Sequence, residues 1–327
     1  MRQSSANLPE SQAISAQLIA ALSDDVRAYP EDKELDVLLG HFRKTFGDNL
    51  LAVIFFGSCL SEKTRTETSF KDFVIVVKSY RKASSNMLAA LGHNILPPDL
   101  YHLEIPLESG QKAECKYYLI SGKDLVRATG SRARDLYVMG RLSKRVALVY
   151  SKDKEASHLI LQCLASSAIS AARYSSSLIK EPLSIDEFIH LVLDLSYRSE
   201  RRIEAGEIKA SALFEAAPSY YNRVYSIIIR HFLDEKILAQ SQQGKIQAGP
   251  NVMAKALAEK FINQSRTRAK MRWPKMILTV DNWMDQLLDK FERTYNIRLE
   301  IPPWERKIIL ITGWRHYFRI KREGKLH

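Results

Sequence analysis

The chain has 327 residues, of which 46% are hydrophobic and 26% are charged, and this composition excludes a disordered, collagen-like or linker-dominated protein. The formal net charge of +12 favours a polyanionic partner, either nucleic acid or an anionic bilayer. The three cysteines, Cys59, Cys115 and Cys163, have no zinc-type spacing and suit reduced thiols in a reducing compartment.

The first 150 residues carry mostly strand patterns. Two short apolar runs, LLAVIFF at 50–56 and DFVIVV at 72–77, are apolar enough for strands that are buried on both faces. Helices are predicted where apolar residues recur at helical spacing. In chain order, the predicted elements are helix 11–22, helix 33–46, strand 50–56, strand 72–77, helix 79–94 and strands 101–107, 114–120 and 145–150.

After Ser151 the patterns become helical, with breaks at Pro182 and Pro218. Three helices followed by a tight hairpin are typical of winged-helix modules. We therefore predict three parts: a first domain over 1–152, a helical module over 153–258 and a basic segment over 259–327. The predicted elements are helices 153–180, 185–206 and 218–238, a hairpin at 241–247 and amphipathic helices 276–295 and 303–322.

Most of the excess positive charge lies in the last seventy residues. The range 260–275 has six basic side chains and no acid, and 301–327 has seven basic side chains against Glu305 and Glu323. The last helix also sets Trp304, Trp314 and Tyr317 among these arginines and lysines. This mixture favours a helix that lies in the interface of an anionic membrane. The two alternatives are a soluble helix with its aromatic side chains buried against the protein and a helix that stacks on nucleic acid.

The stretch FFGSCLSEKTRTETSFKDFVIVV, residues 55–77, joins the two buried strands through a Gly-Ser and a loop of thirteen residues. In nucleotidyltransferases a strand leads into such a Gly-Ser, where glycine lets the backbone approach a triphosphate and N–H groups bind its oxygens. The next strand presents carboxylates that hold Mg²⁺. Gly57 and Ser58 fit the first part of this layout, and Asp72 fits the second.

One of the two expected metal carboxylates is missing, because the same-face neighbours of Asp72 are Phe70 and Val74. The gap matters less if the acceptor is a phosphomonoester, since a second pKa of about 6 leaves its oxygen ionised without a base. Mg²⁺ commonly takes one or two protein carboxylates and completes its shell with phosphates and waters. Glu114 stands where a third acid would come, although a solvent-facing glutamate is the favoured interpretation.

Five stretches, in order, resemble the mitochondrial translocator assembly and maintenance family of phosphatidate cytidylyltransferases. They are the Gly-Ser with DFVIVV, CKYYLIS at 115–121, LYVMGRLSKRV at 136–146, LSYRSERRIEAGEIK at 195–209 and SQQG at 241–244. The likeness covers roughly residues 40–250. Two departures are that Glu200 stands where the family more often has aspartate and that Arg201 replaces an aromatic residue.

The resemblance implies an α/β (α+β) fold, in which a nucleotidyltransferase-fold mixed sheet with flanking helices precedes a mostly helical, winged-helix-like module and C-terminal amphipathic helices. It implies that CTP and phosphatidate react to give CDP-diacylglycerol and pyrophosphate, with Mg²⁺ as the cofactor. By position, Gly57 and Ser58 would grip the phosphates of CTP and Asp72 would bind Mg²⁺. Lys116, Arg141 and Lys144 would bring positive charge to the phosphates. The residues lining the site from the helical module would be Tyr197, Glu200, Arg202, Glu207 and Lys209.

Two other functions stay open. One is nucleotidyl transfer to a soluble or RNA acceptor with Glu114 as base, and the other is a non-catalytic protein that binds nucleic acid through 260–275. The favoured partners are CTP, phosphatidate and an anionic membrane, whereas nucleic acid is not expected and a homo-oligomer stays open. The N-terminus shows no secretory or transit pattern. We therefore expect a cytoplasmic enzyme, peripheral on the inner face of the cell membrane, or on the matrix side in a mitochondrion.

Overall fold

The computed structural model describes residues 8–29, 32–61, 64, 70–83, 93, 96–107, 110–199, 206–279, 288, 301, 305 and 322. The chain divides into two compact units, Met1–Lys275 and Met276–His327. The sheet and the helices up to Asp234 all belong to the first unit.

The described helices and strands alternate through the first half of the chain and are mostly helical in the second. The helices are α1 (Leu8–Ser23), α2 (Lys33–Phe46), α3 (Tyr80–Ala83), α4 (Gly122–Thr129), α5 (Met139–Leu142), α6 (Lys154–Ser176), α7 (Ile185–Ser199), α8 (Gly206–Ala216), α9 (Pro218–Asp234) and α10 (Lys255–Thr279). The strands are β1 (Leu50–Phe56), β2 (Lys71–Val77), β3 (Asp99–Pro106), β4 (Lys112–Ser121), β5 (Ala147–Ser151), β6 (Leu238–Gln240) and β7 (Ile246–Ala248).

Five strands form one mixed sheet in the order β3-β4-β2-β1-β5. The central strand β2 pairs with β1 in antiparallel and with β4 in parallel orientation. The outer strands β5 and β3 pair antiparallel with β1 and β4. The predicted α/β class with a mixed sheet is confirmed.

Helices cover both faces of the central strands, which explains why β1 and β2 are almost continuously apolar. On one face, α2 packs Leu38 and Phe42 against Phe73 and Ile75. Helix α2 begins at the cap residue Asp32, whose side chain accepts a hydrogen bond from the Glu34 N–H at 2.9 Å. It ends at Gly47, which has a positive φ of 46°.

The opposite face of the sheet continues into the helical module. Ile54, Val74 and Val76 of the sheet belong to the same buried cluster as side chains of α1, α6, α7 and α9. Representative members from those four helices are Leu18, Ile160, Val192 and Tyr225. The sheet and the following helices therefore share one core, and a site on this face of the sheet receives residues from both.

Several predicted elements differ from the observed ones. Helix α7 is described from Ile185 to Ser199, and residues 200–205 of the predicted helix lie outside the described part of the chain. Helices α4 and α8 have no counterpart among the predictions. The amphipathic helices predicted at 276–295 and 303–322 lie largely outside the described residues. Among the helices that are described, we find none whose length and hydropathy suffice to cross a bilayer.

Candidate active site

Asp72 lies near the start of the central strand β2, opposite the end of β1. Because the two strands are antiparallel, the end of β1 reaches the start of β2, and Phe56 pairs with Asp72. Gly57 and Ser58 follow Phe56 directly, with a short 3-10 helix over Ser58–Leu60. The antiparallel pairing thus brings the Gly-Ser and the aspartate, which are separated by a long loop in sequence, to one edge of the sheet.

Gly57 adopts a backbone conformation that glycine alone reaches easily, with φ 92° and ψ −167°. A Cβ atom at this position would come within 2.8 Å of the Asp72 Oδ2 atom. The residue is therefore required to be glycine for two reasons, the backbone angle and the contact with the carboxylate. Its missing side chain lets the turn lie close to one oxygen of Asp72.

The two ends of the loop between β1 and β2 are fastened to each other. The Cys59 thiol donates a hydrogen bond to the Phe70 carbonyl oxygen at 3.3 Å, and the Leu60 N–H donates to the Gly57 carbonyl oxygen at 3.2 Å. These bonds hold the turn that follows Gly57 close to the residue that leads into β2. The positions of Gly57, Ser58 and Asp72 are therefore determined together.

Lys71 holds the start of β2 from the other face of the sheet. Its amino group, 5% exposed, pairs with Asp32 at 2.9 Å and also with Glu34 at the beginning of α2. Burial by itself would lower the pKa of Lys71, but the two carboxylates outweigh it and raise this pKa above its usual value. The ion pairs of Lys71 therefore fix the start of β2 against α2, and the next residue, Asp72, points to the opposite face of the sheet.

A polar row crosses the sheet at the level of Asp72. Asp72 is in register with Lys116 of β4, and Lys116 is in register with His102 of β3. Cross-strand partners point to the same face of a sheet, so these three side chains share the face that the helical module covers. The Lys116 ammonium lies 4.2 Å from the centre of the Phe70 ring, which positions a cation next to the aspartate.

A histidine and two glutamates converge further along the same face. The His102 Nε2 atom lies 2.7 Å from Glu114 Oε1, and its Nδ1 atom lies 3.8 Å from Glu104 Oε1. The ligand atoms of the three residues lie within 4.8 Å of one another, which is a spacing that a metal ion would accept. The Glu114 side chain is 37% exposed, which agrees with the predicted solvent-facing position, and it also pairs with His102, whose side chain is 6% exposed.

Arg141 lies over the sheet beside this row. It belongs to the short helix α5, is 8% exposed, and its Nη1 atom donates to the Tyr137 carbonyl oxygen at 2.5 Å. Its guanidinium carbon lies 3.9 Å from the centre of the Tyr137 ring and 4.9 Å from that of Tyr118. Tyr118 and Lys116 point to the same face of β4, so Arg141 stands one residue pair away from the row of Asp72.

The turn that contains Lys144 is fixed by helices of the second half of the chain. Tyr225 donates a hydrogen bond to the Ser143 carbonyl oxygen at 2.8 Å, and the Arg145 N–H donates to the Tyr221 hydroxyl at 3.3 Å. The Lys144 ammonium lies 3.8 Å from the centre of the Tyr197 ring on α7. The structure therefore brings together two of the residues that the sequence assigned to different domains.

Close packing of backbones joins α5 to α7. A Cβ atom at Gly140 would lie 2.5 Å from the Ser196 Cβ and 3.1 Å from its Cα. Only a residue without a side chain lets α5 approach α7 this closely. The glycine in the stretch LYVMGRLSKRV is therefore a packing residue that brings the arginine after it, Arg141, to the junction of the sheet and the helical module.

Helix α10 contributes two arginines to the same region. Asp135, which is 7% exposed, accepts from Arg268 Nε at 2.6 Å and from Arg272 Nη2 at 2.9 Å. The Arg272 guanidinium carbon lies 4.3 Å from the centre of the Tyr137 ring, the ring that Arg141 also contacts. Two of the six basic residues in 260–275 thus point into the protein and not toward an external partner.

Arg268 and Arg272 stabilise the negative charge of the Asp135 carboxylate. Burial by itself would raise the pKa of the Asp135 carboxyl group, but the charge of Arg272, hydrogen bonds from both arginines and the N–H of Tyr137 together lower this pKa below its usual value. Further hydrogen bonds fasten α10 to the same loop: the Leu136 N–H donates to the Ser265 hydroxyl oxygen at 3.0 Å. The loop before α5 and helix α10 therefore form one connected structure.

The remaining predicted site residues are less completely described. Lys209 is exposed in the first turn of α8, and Glu207 belongs to the same turn, with its side chain outside the described part of the chain. Glu200 and Arg202 lie outside the described residues. Their predicted roles in lining the site stay predictions.

Sequence reasoning missed four residues of this region: His102, Tyr137, Asp135 and Arg272. The register of the β3–β4 hairpin would have placed His102 beside Lys116, because the strands pair without a bulge from Asp99 to Pro106. No signal in the sequence connects Asp135 with Arg272, which are far apart in the chain.

A family model described as phosphatidate cytidylyltransferase, mitochondrial, matches residues 78–298, more than half of the chain. A search of the curated proteins found no match. The matched range contains Lys116, Arg141, Lys144 and helix α10 but begins after Asp72. It confirms the family that the sequence resembles, while the roles of Gly57, Ser58 and Asp72 stay predictions supported by their geometry.

Proposed function

Because this chain belongs to the phosphatidate cytidylyltransferase family, whose members are nucleotidyltransferases that make CDP-diacylglycerol, we propose that the cationic surface around Asp72 carries this reaction. The observation that supports this most directly is the contact between Gly57 and the Asp72 carboxylate, with Lys116 next to it in the sheet. A glycine turn that admits a phosphate, a carboxylate and a neighbouring cation are the groups that nucleotidyl transfer requires.

The residues at Asp72 fit one Mg²⁺ ion that has few protein ligands. Asp72 offers carboxylate oxygens, which Mg²⁺ prefers, and Gly57 places no side-chain atom against Oδ2. Its register partners on the same face are Phe56 and Lys116, neither of which is an acid. When bound, Mg²⁺ would orient and neutralise the phosphates of CTP.

The reaction needs no protein base. An oxygen of the phosphatidate phosphate, already ionised at neutral pH, forms a bond to the α-phosphorus of CTP. The bond from this phosphorus to the oxygen that bridges to the β-phosphate breaks, and pyrophosphate leaves with the bonding electrons. Both substrates are anions, so the work of the protein is to hold them in line and to compensate their charge.

The cationic side chains share that work. Ser58 and the N–H groups after Gly57 bind the triphosphate. Lys116 on the neighbouring strand, Arg141 on helix α5 and Lys144 in the turn after it supply positive charge to the triphosphate or to phosphatidate. Arg141 and Lys144 each lie against a tyrosine ring, which fixes the long side chains before a substrate arrives. Preorganised charges of this kind stabilise a transition state without reorganising.

The enzyme meets its lipid substrate at a membrane surface. Arg268 and Arg272 of the basic segment point into the protein. The other basic residues from 259 onward, together with the tryptophans and the tyrosine near the end of the sequence, suit binding to the headgroups of an anionic bilayer. Lipid association of this kind keeps the acyl chains of phosphatidate in the bilayer while the headgroup enters the site. The inner face of the cell membrane, or the matrix side in a mitochondrion, is the expected location.

One assay tests the reaction and the site together. Purified protein is incubated with CTP, Mg²⁺ and phosphatidylcholine vesicles that contain phosphatidate, and pyrophosphate and lipid-linked cytidine are measured. We expect Asp72→Asn to lower the rate at least about a thousandfold, since it keeps the shape and removes the charge. Asp36→Asn, the same change at an exposed position of α2, is the matched control. Full activity in Asp72→Asn, or no lipid-dependent pyrophosphate release from CTP, would refute the proposal.

A further variant separates the phosphate acceptor from a hydroxyl acceptor. Glu114→Gln removes the acid that would act as a base toward a hydroxyl acceptor while keeping a partner for His102. Because an ionised phosphate needs no base, we expect this variant to retain most of the activity. A loss as large as that of Asp72→Asn would instead favour transfer to a hydroxyl group.

A further inference from the structure

We propose that Arg141 and Arg272, which reach the same tyrosine ring from distant parts of the chain, form a binding site for one phosphate group of a substrate. The inference rests on the proposed function and adds to it a residue of α10, a helix to which the sequence assigned no role in the site. The two sources of such a group are the triphosphate of CTP and the headgroup of phosphatidate.

Arg272 is a buried cation with unused donors. It is 7% exposed, and its Nη2 atom donates to Asp135 at 2.9 Å and to the Pro97 carbonyl oxygen at 3.0 Å. Its Nε and Nη1 atoms are buried and have no hydrogen-bond acceptor among the described residues. Buried N–H groups are costly without an acceptor, so a guanidinium kept in this state is suited to receive an oxyanion.

The charge balance around Arg272 also favours an anion. Asp135 is shared between Arg268 and Arg272, and one carboxylate compensates only one of two guanidinium groups. Arg141 adds a further buried guanidinium at the same Tyr137 ring. Cations gathered at one place repel one another unless an anion lies between them, and guanidinium groups match the geometry of phosphate oxygens.

The site adjoins the proposed reaction centre. Arg141 also contacts Tyr118, with its Nη2 atom 3.5 Å from the tyrosine hydroxyl. Tyr118 follows Lys116 on the same face of β4, and Lys116 is in register with Asp72. A phosphate held by Arg141 and Arg272 therefore lies next to the carboxylate that binds the metal, where either substrate needs its charge compensated.

The test measures binding without turnover. Arg272→Lys keeps the charge and the pairing with Asp135 but loses the additional donors, whereas Arg272→Gln loses both. Lys270→Gln removes a positive charge from an exposed position of the same helix and is the matched control. The probes are CTP and inorganic pyrophosphate, by titration calorimetry, and vesicles with phosphatidate or with phosphatidylglycerol at equal charge, by sedimentation.

We expect Arg272→Lys to weaken one probe about tenfold and Arg272→Gln about tenfold to a hundredfold, with no change in Lys270→Gln for the soluble probes. Weaker binding of CTP and pyrophosphate assigns the site to the nucleotide. A lost preference for phosphatidate over phosphatidylglycerol assigns it to the lipid headgroup. Unchanged binding of every probe in Arg272→Lys and Arg272→Gln would overturn the inference.

Thermal unfolding of each variant separates binding from folding. If Arg272→Gln does not fold, the binding of the probes to Arg272→Lys tests the inference. A variant with a lower melting temperature but unchanged binding would show that Arg272 makes a structural contact only, which also overturns the inference. The proposed function fails separately. A wild-type protein that binds the probes through Arg272 but releases no pyrophosphate would refute the reaction and leave the phosphate site in place.

Discussion

Gly57 lies in contact with the carboxylate of Asp72, so closely that a methyl group at Gly57 would come within 2.8 Å of Oδ2. The contact exists because the end of β1 and the start of β2 are antiparallel neighbours, with Phe56 opposite Asp72. It explains why the sequence has glycine here in a conformation that other residues avoid. The two residues therefore behave as one unit, and a change in either one should affect the other.

We expect Gly57→Ala to lower activity by about a hundredfold or more, because the new methyl group must displace the Asp72 carboxylate. Backbone strain adds about 1–3 kcal/mol of destabilisation. Gly244→Ala is the control, since Gly244 also has a positive φ of 72° but its Cβ would meet nothing within 4 Å. Activity and urea unfolding of both variants check this. Equal loss of activity in the two variants would show that strain alone is responsible.

We expect Gly140→Ala to destabilise the protein by about 1–3 kcal/mol, because the added methyl group overlaps Ser196 of α7. The measurement is the free energy of unfolding in urea. Combining it with Ser196→Gly removes the overlapping atom, so the double variant should lose less stability than the two single variants added together. If the stability losses of the two single variants simply add up in the double variant, the added methyl group does not overlap Ser196, and the prediction is wrong.

The ring of Tyr197 is expected to hold the Lys144 ammonium in place. Tyr197→Leu removes the ring and should lower kcat/KM by about tenfold, on the scale of one cation–π contact. Tyr197→Phe keeps the ring and should lose far less. Steady-state kinetics of both variants in the Lys144→Met background provide the control. If Tyr197→Leu has the same effect without Lys144 as with it, the tyrosine acts independently.

The pairing of Asp135 with Arg268 and Arg272 should make stability depend on pH in the acid range. The pKa of Asp135 is lower in the folded protein than its ordinary value of 3.8, so its contribution is complete above 3.8 and is lost as pH falls through the lowered value. Asp135→Asn should destabilise the protein by about 3 kcal/mol at neutral pH. Urea unfolding at several pH values checks this, and a difference from wild type that stays constant down to pH about 2 would contradict it.

Local patterns predicted the elements that are long and strongly periodic. Helix α2 matched at 33–46 because its cap Asp32 and its terminal Gly47 are local signals, and β1 matched at 50–56 because it is buried on both faces. Helices α4 and α8 were missed. Helix α4 has only eight residues, too few for its spacing to be distinguished from a loop.

The site was predictable where its residues follow one another closely in the chain. Gly57, Ser58 and Asp72 belong to one strand-loop-strand stretch, so the order and spacing of these residue types are enough to identify them. The contact between His102 and Glu114 was not predicted, because it depends on the register of the β3–β4 pair. A shift of one residue in this register would move each side chain to the other face of the sheet. Tyr137 and Arg272 meet only after α10 packs against the loop before α5.

The sequence by itself determined the alternation of strands and helices, the Gly-Ser and aspartate that point to nucleotidyl transfer, and the motifs that identify the family, because each depends on neighbouring residues. Only the tertiary structure decided which cations meet. Arg141, Lys144 and Arg272 come from separate elements and are gathered by a shared core, by the close approach of Gly140 to Ser196 and by the pairing of Asp135 with α10. These contacts are long-range, so composition and periodicity do not encode them locally.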